Sequence, residues 1–267
     1  MRASILVFAF PPLLLGCIHS VTAPLDLITL APQMFADQDN PDELSVDLGS
    51  LAIWLDSRST IDDGYILPSM PASGVVDIVT PSGTSLADTM GGLADAQSTA
   101  TLQQHVDFIM LPDQTVVNPN DYSRFDRTFI EGEDCFADGS CDRLVTENDM
   151  VKTAAFDVTI PYFYFKDYQR VAFLDSDGTE RDAVVSRGWI EEEGWDDAGS
   201  NGLIQSYTLD VFMDSPEGTV HRSQALWTEM VLSIDGLVSE KFLEDQLISG
   251  LHGVFTDTDT AIADLGL

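Results

Sequence analysis

Three cysteines, four histidines and a few short acidic clusters are the side chains of this 267-residue chain whose type and spacing bear on chemistry. Cys135 and Cys141 stand in Cys135-Phe-Ala-Asp-Gly-Ser-Cys141, with a turn-forming Asp138-Gly139 between them. Such a pair closes a small disulfide ring in an oxidising compartment. A zinc site would need two further Cys or His ligands at metal spacing, and none stands nearby. Asp175-Ser-Asp-Gly-Thr-Glu180 opens like a calcium loop, with Asp175, Asp177 and Glu180 as candidate oxygens. It lacks the later ligands and the terminal bidentate glutamate of a full calcium loop, and its flanks read as strands. A hairpin turn is therefore the simpler reading, with weak calcium binding at exterior concentrations as the alternative. Glu191-Glu192-Glu193 with Asp196-Asp197 stands in the same position. No other cofactor is implied.

Motifs for covalent or phosphoryl chemistry are missing from the sequence. It contains no Gly-x-Ser-x-Gly elbow, no phosphate-binding Gly-Lys-Ser/Thr loop and no His-Glu-x-x-His. His19, His105, His221 and His252 are isolated from one another. His105 with Asp107 would share a face on a strand, as a base and its orienting carboxylate, yet no nucleophile lies close in sequence. A non-enzymatic protein is expected, with a spatially assembled hydrolase site as an alternative.

Polar residues on otherwise apolar strand faces are more telling. Gln205 and Tyr207 share a face with Leu209 and Val211, and Arg222, Gln224 and Thr228 share one with Leu226 and Met230. Arg187 falls on the face of Val185 and Trp189. Buried polar groups are costly unless partnered, so such faces either border a polar cavity or open to water. If they converge, Arg187, Gln205, Tyr207, Arg222 and Gln224 would orient the polar end of a ligand.

The elements that position these residues are clearest in the second half. Period-two alternation marks a strand from Phe156 through Tyr164, and Asp177-Gly178 marks a hairpin turn between Arg170–Leu174 and a returning strand over 182–192. Strands over 203–213 and 220–234 follow, joined by Ser215-Pro-Glu-Gly218. A helix comes next, with Val238, Phe242, Leu247, Ile248 and Leu251 on one stripe, and a short last helix begins near Thr258. The first half reads less regularly. Residues 17–43 look like a flexible tether, with 25–30 apolar enough to add an edge strand. Residues 74–80 read as a strand, and a helix starting near Ser85 is broken at Gly91-Gly92. The stretch 105–111 is open between strand and helix, and 112–150 is a loop-rich segment holding the cysteine pair. Residues 44–267 thus form a single α+β domain.

Charge bounds the partners. The chain carries 12 Lys and Arg against 45 Asp and Glu, a formal net charge of −33. A field of that sign repels nucleic acid and anionic surfaces and suits a salty exterior. With 44% hydrophobic residues the chain still has material for a sizeable core.

The N-terminus gives an address. Arg2 precedes an apolar run from Ala3 to Leu15, too short to span a bilayer, that ends in Leu14-Leu15-Gly16-Cys17. This ending resembles the lipobox of bacterial lipoproteins. The resemblance implies a signal peptide over 1–16, cleavage after Gly16, lipidation of Cys17 and attachment to a membrane. Ile18 in place of an aspartate implies outer-membrane sorting. An ordinary secretory signal with a chance cysteine is the alternative.

The order of several antiparallel strands followed by a long amphipathic helix, over about residues 150–267, resembles the helix-grip fold of START-type ligand-binding domains. It implies a curved antiparallel sheet packed on the C-terminal helix around an apolar cavity. A lipocalin-like β-barrel is the next alternative, and a β-sandwich the third. Fold alone does not carry function. The expected role is binding a small apolar or amphipathic ligand, and the alternative is an envelope interaction protein without a pocket.

Overall fold

The computed structural model describes residues 21–22, 25–56, 64–116, 122–153, 158–233 and 239–267. The apolar N-terminal run, Cys17 and the expected helix residue Val238 lie outside them. The strands are β1 (Val21–Thr22), β2 (Gly64–Leu67), β3 (Met90–Ser98), β4 (Tyr122–Glu131) and β5 (Arg143–Thr153). They continue with β6 (Thr159–Leu174), β7 (Glu180–Trp189), β8 (Gly194–Trp195), β9 (Gly202–Asp214) and β10 (Val220–Val231). The α-helices are α1 (Leu25–Ala36), α2 (Pro41–Asp56), α3 (Leu102–Ile109) and α4 (Glu240–Leu265). The sheet runs β1-β2-β3-β10-β9-β7-β6-β5-β4, with β8 alongside β9. Only β1 with β2 is parallel among these pairs. The path ends at β1 and β4 without closing, so the fold is the expected curved, open α+β sheet with a long C-terminal helix and not a barrel.

Three layers result. Leu27, Met34, Phe35, Leu44, Leu48 and Leu51 of α1 and α2 cover one face of the sheet, where they meet Val185, Tyr207, Leu209, Val211, Ala225 and Trp227. Phe35 packs edge-on against both Tyr207 and Trp227, at 6.3 and 6.4 Å between ring centres. On the other face, Ile248, Leu251 and Phe255 of α4 pack on Ala94 of β3. With both faces covered, β9 is buried at every residue from Gly202 to Met213. Its alternation therefore separates two interiors, not core from solvent.

Local chemistry explains most element boundaries. Thr101 caps α3 by accepting from the Gln104 backbone N–H, while the Gln104 side chain accepts from the Thr101 N–H. Ser239 accepts from the Phe242 N–H at the start of α4, and Gly266 ends it in the left-handed region. Gly178, at φ 84°, allows the tight β6–β7 turn.

Several expectations for the first half are corrected. The tether does not run to residue 43: Leu27, Ala31, Met34 and Phe35 recur at helical spacing and bury α1, Pro32 notwithstanding. The strand expected over 74–80 is a short 3₁₀ turn, Ala72–Val75, followed by exposed Val76 and Val79. Near Ser85 there is only the 3₁₀ turn Leu86–Asp88, and Gly91-Gly92 lie inside β3 instead of breaking a helix. The reason is close approach. A Cβ on Gly91 would sit 2.7 Å from the Pro68 carbonyl oxygen, and one on Gly92 2.8 Å from Leu247. Of the ambiguous 105–111 stretch, residues 105–109 belong to α3 and Met110 caps it. Residues 112–150 are not mainly loop, because β4 and most of β5 lie there, paired from Tyr122↔Lys152 to Glu131↔Val145. Their alternation is masked by charged residues such as Arg124, Asp126 and Glu147. The disulfide Cys135–Cys141 is formed in the connection between them. The separate last helix is continuous with α4.

Candidate functional site

Between the sheet face under α4 and the helices α3 and α4 lies a cavity of about 460 Å³. Its walls come from β3 to β6, β9, β10 and the two helices. Strand register orders the lining into rows. Tyr168 pairs with Ser186, Ser186 with Asp210, and Asp210 with Gln224. The next row toward one end holds Phe212 opposite Arg222, and the next toward the other holds Lys166, Thr208 and Leu226. Further along come Met150, Tyr162, Leu203 and Met230, close to Tyr122 and Phe125. One end of the cavity is polar and charged, and the other is mainly aromatic and aliphatic, with Lys152 over the Tyr122 ring.

The polar end is built from specific contacts. Lys166 Nζ donates to Asp210 Oδ2 at 2.6 Å, and Ser186 Oγ donates to the same oxygen at 3.2 Å. Burial works to lower the Lys166 pKa, but Asp210 and the neighbouring tyrosines outweigh it and hold the ammonium above its ordinary value. Arg127 donates through Nε to Asn148 Oδ1 at 2.9 Å, through one terminal nitrogen to the Ile109 carbonyl, and through the other to Tyr168 Oη at 3.2 Å. Arg222 stacks on Phe212 and Phe255, with its carbon centre 5.1 and 4.8 Å from the ring centroids. It donates to the Phe255 carbonyl at 3.3 Å, and Asp259 stands 3.7 Å away. Burial lowers the Arg222 pKa to about 10 against the pull of Asp259 and Asp210, so the guanidinium remains charged at neutral pH. Tyr164 and Thr208 join their hydroxyls across the cavity wall.

The residues singled out from sequence divide between the two faces. Arg222 and Gln224 line the cavity. Arg187, Gln205 and Tyr207 are on the opposite face, because odd-numbered β9 residues from Gln205 to Met213 point toward α1 and α2, while a register shift beside Gln205 returns Leu203 to the cavity. Arg187 contacts Asp39 and lies 3.4 Å from Asp167, which Arg143 also holds at 2.9 Å. Gln205 donates to the Ser85 carbonyl at 2.8 Å and to Glu229 at 2.6 Å, and Tyr207 donates to Gln205 Oε1 at 3.2 Å. These are structural networks beneath the helical layer. Asp175 accepts from the Asp177 and Thr179 backbone N–H groups, at 3.1 and 2.9 Å, and pairs with Arg181. Its carboxylate is thus engaged in the turn, while Asp177 and Glu180 are exposed. Among the described residues no three His, Cys, Asp or Glu side chains gather as a metal site.

Lys166, Asp210 and Arg127 were missed from sequence. Extending the alternation of Tyr162 and Tyr164 by one step reaches Lys166. Arg127 was hidden by reading its strand as loop.

The expected pairing of His105 with Asp107 does not form, because α3 is a helix and Asp107 accepts instead from Gln103 at 2.8 Å. Buried His105 places Nε2 3.1 Å from Ser98 Oγ, and Ser98 donates to Asp259 at 2.8 Å. The serine sits between histidine and carboxylate, so its hydroxyl proton points away from the imidazole. Burial and the Arg222 charge lower the His105 pKa to about 3, which leaves it neutral and a poor proton acceptor at neutral pH.

Fold and cavity together define an α+β protein with an open antiparallel sheet closed over by its last helix. No family model and no curated protein matches the chain. Similar solved structures include a STAR-related lipid transfer protein from Xanthomonas axonopodis, 8% identical with a TM-score of 0.42, covering 78% of this chain and 96% of that one. Human StAR-related lipid transfer protein 5 is also 8% identical, with a TM-score of 0.42, covering 86% and 100%. A START superfamily protein from Mycobacterium smegmatis is 8% identical, with a TM-score of 0.38, covering 66% and 98%. Identity at this level says nothing of a shared ligand.

Proposed function

We propose that this chain is a non-enzymatic binding protein that holds one small amphipathic molecule between its sheet and α4, anchored to the outer membrane through lipid on Cys17. The cavity carries the binding half of this reading. Its volume of about 460 Å³ falls within the ~300–1,000 Å³ typical of sites for one small molecule. It combines a mainly apolar wall with a few inward polar groups, and Gln224 Oε1 and Arg222 Nε have no hydrogen-bond partner among the described residues. Buried polar atoms left unpaired are costly, and a bound ligand would offset that cost. The lipid half is supported by Leu14-Leu15-Gly16-Cys17 after its apolar run. The second reading is an envelope protein docking through an aromatic patch around Phe163, Phe165 or Trp227: Phe163 is exposed, but Phe165 stacks on Trp189 and Trp227 is buried under α1.

Native mass spectrometry of the full chain carrying Cys17→Ser, purified without detergent from an exporting host, tests both halves. An adduct of a few hundred daltons at one per chain, lost on denaturation, is expected; a bare mass after incubation with a lipid extract counts against the cavity reading. The substitution is also expected to move the protein from membrane to soluble fraction, and unchanged partition would end the anchor reading.

A further inference from the structure

We infer that the cavity selects an anionic amphiphile, a molecule with a carboxylate or phosphate head seated beneath α3 and an apolar tail along the opposite end. This rests on the binding reading above and adds the sign of the ligand's charge.

The partition of charge is the first observation. Among the described residues, four of the chain's 12 Lys and Arg line the cavity, Arg127, Lys152, Lys166 and Arg222, against one of its 45 Asp and Glu, Asp210. A chain this acidic has carboxylates to spare for its buried cations, yet the cavity is short of them. Lys166 takes Asp210. Arg127 is buried, and its three hydrogen bonds all go to neutral oxygens, those of Asn148, Ile109 and Tyr168. No ion pair joins it among the described residues. Among the described residues Arg222, 4% exposed, has only Asp259 as a counter-ion, at 3.7 Å, and its Nε has no partner. Buried charges without close counter-ions are unfavourable, and an incoming anion relieves that.

Position is the second observation. Arg127 lies against α3 through the Ile109 carbonyl; Arg222 lies against α4 through the Phe255 carbonyl and faces α3 across Phe212, whose ring is 5.1 Å from that of His105. Lys166 sits over Tyr168, the residue that Arg127 also contacts. Away from α3 the lining turns to Met150, Tyr162, Leu203, Met230 and Leu243, where the one cation among the described residues is half-buried Lys152 over the Tyr122 ring. An anionic head and an apolar tail match this gradient from end to end. A neutral alcohol of the same length would fill the tail region and leave Arg127 and Arg222 without a close anion.

Isothermal titration of the full Cys17→Ser chain, stripped of bound lipid, with palmitate, hexadecyl phosphate and hexadecanol compares the same chain under three heads. Palmitate or the alkyl phosphate is expected to bind on the order of 10- to 100-fold tighter than hexadecanol, the value of a hydrogen bond to a charged group. Which of the two binds tighter identifies the head. Hexadecanol binding as tightly as the acids would overturn the charge assignment while leaving the cavity reading intact. Binding of none of the three, with no shift in melting temperature, would overturn both. Arg222→Gln and Arg127→Gln are expected to shrink the preference toward unity; a preference unchanged in both folded variants would show that these residues do not read the head.

Discussion

Asp47 is a carboxylate at odds with its surroundings. It lies on α2, 4% exposed, and accepts from the Gln33 side chain at 2.9 Å. Burial, followed by the charges of Asp37 and Glu43, raises its pKa from 3.8 to about 7. Between those values the native state keeps a proton that the unfolded chain has lost, so stability falls as pH rises from about 4 to about 7 and then levels off. Asp47→Asn preserves the acceptor for Gln33 and removes the charge. It is expected to raise stability by on the order of 2 kcal/mol at pH 8 and by little at pH 4, read from denaturant titrations at both. An equal effect at both pH values would show that ionisation is not the cause. Burial also sets the character of His105, which no longer titrates near neutrality, so ligand retention is not expected to switch on that group.

The β3–β10 region depends on glycine where another residue would push elements apart. A Cβ on Gly91 would also meet Trp227 at 2.8 Å and Leu67 at 2.9 Å, in addition to the Pro68 carbonyl. Gly91→Ala is therefore expected to destabilise the domain by about 1–3 kcal/mol, seen as a lower denaturation midpoint, whereas Gly250→Ala, with open space around its Cβ, is not. These glycines also mark the limit of what the sequence made legible. The hairpins from β6 to β10 and the C-terminal helix could be read because their alternation and turn residues are local. Gly91-Gly92 looked like a helix break because the contact that requires them, with Pro68, Trp227 and α4, comes from distant segments. The cavity was half legible for a related reason. Arg222 and Gln224 stood out as polar residues on an apolar face, but β9 has apolar residues on both faces, and periodicity alone could not say which face met α4. Sequence alone therefore groups Gln205, Tyr207 and Arg187 with them, and the strand register separates the two sets.

The whole molecule carries a formal charge of −33, and that charge acts on the folded state as self-repulsion. Raising salt from about 0.01 M to about 1 M shortens the screening length from ~30 to ~3 Å. The melting temperature is expected to climb over that range, and a steady fall in calorimetric scans would show that repulsion is a minor term. The two covered faces also divide the protein's tasks: α1 and α2 close a dry core on one side, while α3 and α4 enclose the cavity on the other. At the end of the sheet, β1 adds a constraint of its own through the pairs Val21↔Tyr65 and Thr22↔Ile66. Only residues 18–20 separate it from Cys17, four Cα steps that span at most about 14 Å. A protein lipidated at Cys17 would be moored hard against its leaflet by this short leash. It would work as a berth, trading cargo with the membrane it rests on or with whatever docks there, and not as a ferry between membranes.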